Sequence, residues 1–107
     1  MYMVKIKNEY LHGPIWVYGE DGIVVRNFPL IDFDEQLSQL NKQVEEMFSA
    51  YYEFDSHDQT CWFNEEKEKA EREMMVKLIS RIVTRLAEIN DGSFVVQDYV
   101  TPQLLAE

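Results

Sequence analysis

The chain has 107 residues, with twenty acids against ten bases and a formal net charge of −10 at pH 7. Nearly half of it is apolar, which suits one folded domain over residues 1–107 and excludes a disordered chain. The acidity argues against direct nucleic-acid or anionic-membrane binding, since both depend on Lys and Arg, and no run approaches the ~20 apolar residues that a membrane span needs.

The N-terminal MYMVKIKNEY alternates and has no signal-peptide core, so it reads as a strand. Its alternation sets Met3, Lys5 and Lys7 opposite Val4 and Ile6. His12-Gly13-Pro14 marks a turn, and Ile15-Trp16-Val17-Tyr18 is rich in β-formers. Gly19-Glu20-Asp21-Gly22 is a second turn, which predicts a tight hairpin between residues 15–18 and 23–26.

Asp32, with Glu35 three residues later, predicts the start of a helix. Phe33, Leu37, Leu40, Val44, Met47, Tyr51 and Phe54 then recur at spacings of four and three, one apolar stripe on a helix from about 33 to 53. Asn64 is a candidate cap for a second, longer helix, with Glu65, Glu66 and Glu68 at its positive end. Ala70, Met74, Leu78, Ile82, Leu86 and Ile89 form one row on it, and Met75, Ile79 and Val83 the row beside. That face is wide enough for a core and for a homodimer contact as well. Lys77, Arg81 and Arg85 lie toward its negative end, placed to pair with acids of the first helix. Asn90-Asp91-Gly92 is a stop, with Gly92 suited to the left-handed conformation. Residues 93–100 read as a last strand, and Pro102 ends it.

The expected order is β-β-β-α-α-β: an α+β domain with an antiparallel sheet of about four strands and a two-helix hairpin packed on one face.

Residues 51–66, YYEFDSHDQTCWFNEE, concentrate the chemically capable groups. Residues 32–63 carry eight acids against Lys42 alone, seven of the ten net negative charges. His57 and Cys61 are four apart, but a zinc site needs three or four ligands, and no sequence argument brings His12 to them. Ser56-His57-Asp58 is not a triad, because triad members converge from separated parts of a fold. The acids around Cys61 disfavour a reactive thiolate. No CxxC, HExxH, EF-hand loop or glycine-rich phosphate loop occurs, so neither a cofactor nor a metal is expected. A single cysteine cannot form an internal disulfide, which favours the cytoplasm.

What remains is a binding surface. In kind the chain resembles the small acidic proteins that neutralise nucleic-acid-acting enzymes, which implies a protein-protein inhibitor of the immunity-protein type for a basic partner such as a nuclease toxin domain. Its carboxylates stand where phosphates would, and steering speeds capture. On that expectation Glu45, Glu46, Glu53, Asp55 and Asp58 contact the basic cleft, and Tyr52 and Trp62 are the apolar anchors. The protein itself catalyses nothing. The competing expectations are a small-ligand or enzymatic α+β domain using a groove lined by His57, Cys61 or Tyr99, and a homo-oligomeric structural domain.

Overall fold

The computed structural model describes residues 1–54 and 61–106, and Asp55, His57 and Asp58 lie outside the described residues. Strands β1 (Tyr2–Ile6) and β2 (Ile15–Tyr18) pair antiparallel, with Val4 opposite Val17 and Lys5 opposite Trp16. The turn between them approaches a helix closely. The Asn41 side chain lies where a Cβ on Gly13 would stand, 2.0 Å from that point, and Asn41 Oδ1 accepts from Ile15 N at 3.1 Å. Only glycine leaves that space.

The expected third strand does not form. After the turn at Gly22 (φ 79°), the chain returns beside β2 through one bridge, Tyr18 to Val24, with Val25 N donating to Val17 O at 2.8 Å. Ile23 and Val24 are exposed, so no packing extends the ladder. The chain turns instead into a short helix, α1 (Pro29–Asp32). Asp32 does not cap the long helix; its Oδ2 accepts from Phe28 N at 2.7 Å. The cap is Asp34, whose Oδ1 accepts from Leu37 N at 2.9 Å. Phe33 therefore falls before the helix and is 85% exposed, not part of the stripe.

Helix α2 (Glu35–Ser49) buries Leu37, Leu40 and Val44. It ends four residues earlier than its apolar spacing predicts. Tyr51 N bonds back to Phe48 O, Tyr51 O accepts from Asn64 N, and a two-stranded ribbon follows: β3 (Tyr52–Phe54) with β4 (Cys61–Phe63). The aromatic residues of these segments favour strands, and here that preference overrides the helical period. Asn64 caps α3 (Glu65–Ala70) as expected, accepting from Lys67 N at 3.0 Å. The second long helix is broken, however. Glu71 (φ −101°, ψ 7°) separates α3 from α4 (Arg72–Ile89), which buries Met75, Leu78, Ile79, Ile82 and Leu86 and leaves Met74 exposed.

Gly92 takes the left-handed conformation (φ 93°) before β5 (Phe94–Asp98). The sheet order is β2-β1-β5, and β5 runs parallel to β1, Tyr2 beside Phe94 and Ile6 beside Asp98. The sheet is thus three-stranded and mixed, not antiparallel with four strands. β1 and β5 are joined through helices, the connection that parallel neighbours require. The tail continues as α5 (Val100–Leu105), with Asp98 Oδ1 accepting from Val100 N and Thr101 N. Pro102 is tolerated there because it lies in the first turn.

The outcome is an α+β fold with one apolar core between the helices and one face of the sheet. Arg85 of α4 forks onto Asp34, Nη2 to Oδ2 at 2.7 Å and Nε to Oδ2 at 3.0 Å. The Asp34 side chain is 9% exposed. Arg85 first, then the Leu37 amide, hold its carboxyl below the usual carboxylate range. One carboxylate thereby caps α2 and ties it to α4.

Candidate partner-binding groove

Where α2 gives way to the β3–β4 ribbon, four aromatic rings pack together, edge to face except for the tilted pair Phe48 and Phe63. Tyr51 is 1% exposed, with ring centroids 6.0 Å from Phe48 and 5.8 Å from Phe63. Tyr52 lies opposite Phe63 in the ribbon register, its ring 5.1 Å from Phe63 and 5.7 Å from Phe48. Tyr10, from the β1–β2 connection, adds a fifth ring 4.8 Å from Tyr52. Tyr51 is core; Phe48, Tyr52 and Phe63 are half-buried. These offset and edge-on pairings hold the rings in fixed orientations.

Phe48, Tyr52 and Phe63 line one part of a groove of about 650 Å³. Glu65, Glu68 and Lys69 of α3 line another part, and Lys7, Asn8 and Tyr99, with Val100, Gln103 and Leu104 of α5, complete it. Lys7 Nζ stands 4.9 Å from the Trp16 ring, so its charge is drawn toward the outer sheet face. Asn8 Oδ1 is buried without a hydrogen-bond partner, leaving one free acceptor in the lining. Tyr51 Oη and Glu71 Oε2 are likewise buried and unpartnered. Burial, then the negative charges of Glu71 and Glu68, push the Tyr51 phenol well above its ordinary value.

Among the residues expected at a binding surface, Tyr52 is in this groove. Glu45 and Glu46 sit on α2 short of its end, Glu45 half-buried and Glu46 exposed, and neither lines the groove. Glu53 and Trp62 are register partners in the ribbon backbone. Asp55 and Asp58 lie outside the described residues, as does His57, and Cys61 is placed only as the backbone partner of Phe54.

Sequence reasoning missed Glu65 and Glu68 as lining groups, having read them only as acids at a helix start. It also missed Asn8 and all of α5. Val100 and Leu104, four apart behind a capping aspartate, were the available signal for that helix.

The groove offers aromatic surface with carboxylates beside it and an unfilled acceptor within it. That chemistry suits an apolar or aromatic side chain next to a basic or amide donor. Among the described residues, no three His, Cys, Asp or Glu side chains gather to hold a metal ion, and no helix is long and apolar enough to cross a membrane. Compared with protein-family models, curated proteins and solved structures, the chain matches none of them.

Proposed function

We propose that the chain is a small acidic protein-protein inhibitor, an immunity protein that neutralises a basic toxin domain, most simply a nuclease. The observation that carries this reading is Tyr52. It lies in a groove floored by aromatic rings and bordered by Glu65 and Glu68, at the end of a helix that also bears Glu45 and Glu46. An apolar anchor with carboxylates beside it is a surface that a protein with a basic, partly apolar patch selects. The net charge of −10 accelerates encounter with such a partner.

The test is capture followed by inhibition. Tagged protein is used to pull down partners at low salt, and each captured basic protein is assayed for nucleic-acid cleavage with and without the chain. The reading expects stoichiometric inhibition, capture that falls as salt rises, and loss of both in Tyr52→Ala. Capture that ignores salt, or basic partners whose activity the chain leaves intact, overturns it.

The groove volume favours one second reading. At about 650 Å³, with Tyr99 in its lining, it is the size of a small-molecule site. A rise in Tm with an added metabolite, abolished by Tyr52→Ala, would move the assignment to a ligand-binding domain.

A further inference from the structure

The face of the sheet turned away from the core has a composition unlike the rest of the chain. The central strand and the residue after it give that face Met3, Lys5 and Lys7, and β2 gives it Trp16 and Tyr18. β5 adds Val95, Gln97 and Tyr99 by register. None of these positions is buried, and Val95 and Tyr99 are exposed. In a chain with twice as many acids as bases, no Asp or Glu occupies any of them. At one border, Glu20 is engaged by the amino group of Met1.

Among the described residues, the two lysines are held by rings and not by carboxylates. Lys5 Nζ lies 4.8 Å from the Tyr18 ring; Lys7 Nζ lies 4.9 Å from Trp16 and 5.5 Å from Tyr18. Cation-π contacts fix an ammonium without neutralising it. The rings themselves are taken. His12 stacks on Trp16 at 3.8 Å, nearly parallel, and the lysines stand over what remains. A nucleobase therefore finds little open π surface on Trp16 and Tyr18 to stack on. What the face presents is a pair of prepositioned positive charges, on residues whose Cα atoms lie about 7 Å apart along the extended chain, beside the apolar Val95.

We propose that this open sheet face is a docking surface for an extended acidic segment of a protein partner, with carboxylates two residues apart placed on Lys5 and Lys7. A two-residue repeat of acids in an extended chain has the same spacing as the lysines. An apolar residue of the segment lies over Val95 and the edge of Tyr99. This surface adjoins the aromatic groove, with Lys7 and Tyr99 at their shared border, and the inference does not depend on what fills that groove.

The test is a titration of the isotope-labelled full chain by NMR with the peptide acetyl-Glu-Val-Glu-Val-Glu-amide. Its Gln-Val-Gln-Val-Gln counterpart and an oligothymidylate serve as competing probes. Saturable shifts are expected at the amides of β1, β2 and β5 and at the Trp16 indole N–H, which donates to Lys7 O at 3.2 Å. The K5Q/K7Q double variant, whose spectrum reports directly that it is folded, is expected to weaken the acidic peptide about fivefold. Equal binding of the Gln peptide, unchanged affinity in K5Q/K7Q, no shifts on this face, or preferential binding of oligothymidylate each overturns the proposal. So does self-association through this face in solution, if K5Q/K7Q abolishes it and the acidic peptide does not compete.

Discussion

The aromatic groove and the open sheet face use the same kinds of side chain to opposite effect. In the groove, Tyr52 packs edge-on against Phe48 and Phe63, and the carboxylates of Glu65 and Glu68 stand beside them with Lys69. On the sheet face, Trp16 and Tyr18 lie beneath Lys5 and Lys7, so the rings are covered and the cations are offered. Ring against ring leaves aromatic surface for a guest; ring beneath ammonium leaves charge. Aromatic content alone therefore says little about what a surface binds. Which neighbour covers the ring decides it.

The strongest way to break this contrast is to remove the groove's anchor. Tyr52→Ala is expected to cost about 2 kcal/mol of affinity for the basic partner, measured by calorimetry, while acidic-peptide shifts on the sheet face stay unchanged. If both interactions fall together, the two surfaces are one.

Asp34 separates the scaffold from both surfaces. Asp34→Ala removes the α2 cap, worth about 1 kcal/mol by itself, and the fork from Arg85 as well, so Tm is expected to fall. The pH dependence follows from the sign of the shift. The folded carboxyl lies below its unfolded value, so its stabilisation is present above about pH 4 and is lost as pH falls through the folded value. In Asp34→Asn, acid unfolding monitored by circular dichroism should lose part of its slope below that pH.

Tyr51, under the groove, gives the opposite sign. Its phenol is raised, so stability is full below about pH 10 and falls above it, where the unfolded chain ionises and the folded one resists. Because Tyr51 Oη has no partner, Tyr51→Phe is expected to be neutral or to stabilise by up to about 1 kcal/mol at neutral pH and to flatten the alkaline decline. Marked destabilisation in urea titrations would mean that the hydroxyl is bonded in solution. The smallest effect belongs to the sheet face. Lys7→Gln gives up a cation-π contact and should change stability by no more than about 0.5 kcal/mol, while still reducing acidic-peptide binding.

Local signals in the sequence described the sheet face better than the groove. The alternation of residues 3–7 is local and periodic, and by itself it sorts Lys5 and Lys7 to one side of their strand; the pairing with β2 then brings Trp16 and Tyr18 to that side. The same holds for the buried rows of α4, the Asn64 cap and the left-handed Gly92. The groove joins residues 7–8, 48–52, 63–69 and 99–104, and no periodic pattern spans such separations. Its two decisive features are competitions between preferences. The apolar spacing of α2 runs on to Phe54, yet the β-preference of the aromatic segments ends the helix at Ser49. Pro102 reads as a terminator, yet it sits comfortably in the first turn of α5. The parallel direction of β5 was out of reach for a related reason, since strand order is set by how the helices return the chain to the sheet.

Gly13 and Asn41 carry a consequence for how this sequence is able to drift. A Cβ at position 13 and the amide of Asn41 claim the same space, and that amide oxygen also receives the Ile15 N–H. A larger residue at 13 is admissible only alongside a smaller one at 41, and the smaller one abandons the β2 amide. The two positions are therefore coupled, and a Cβ at 13 displaces the Asn41 side chain and costs the Ile15 N–H its acceptor.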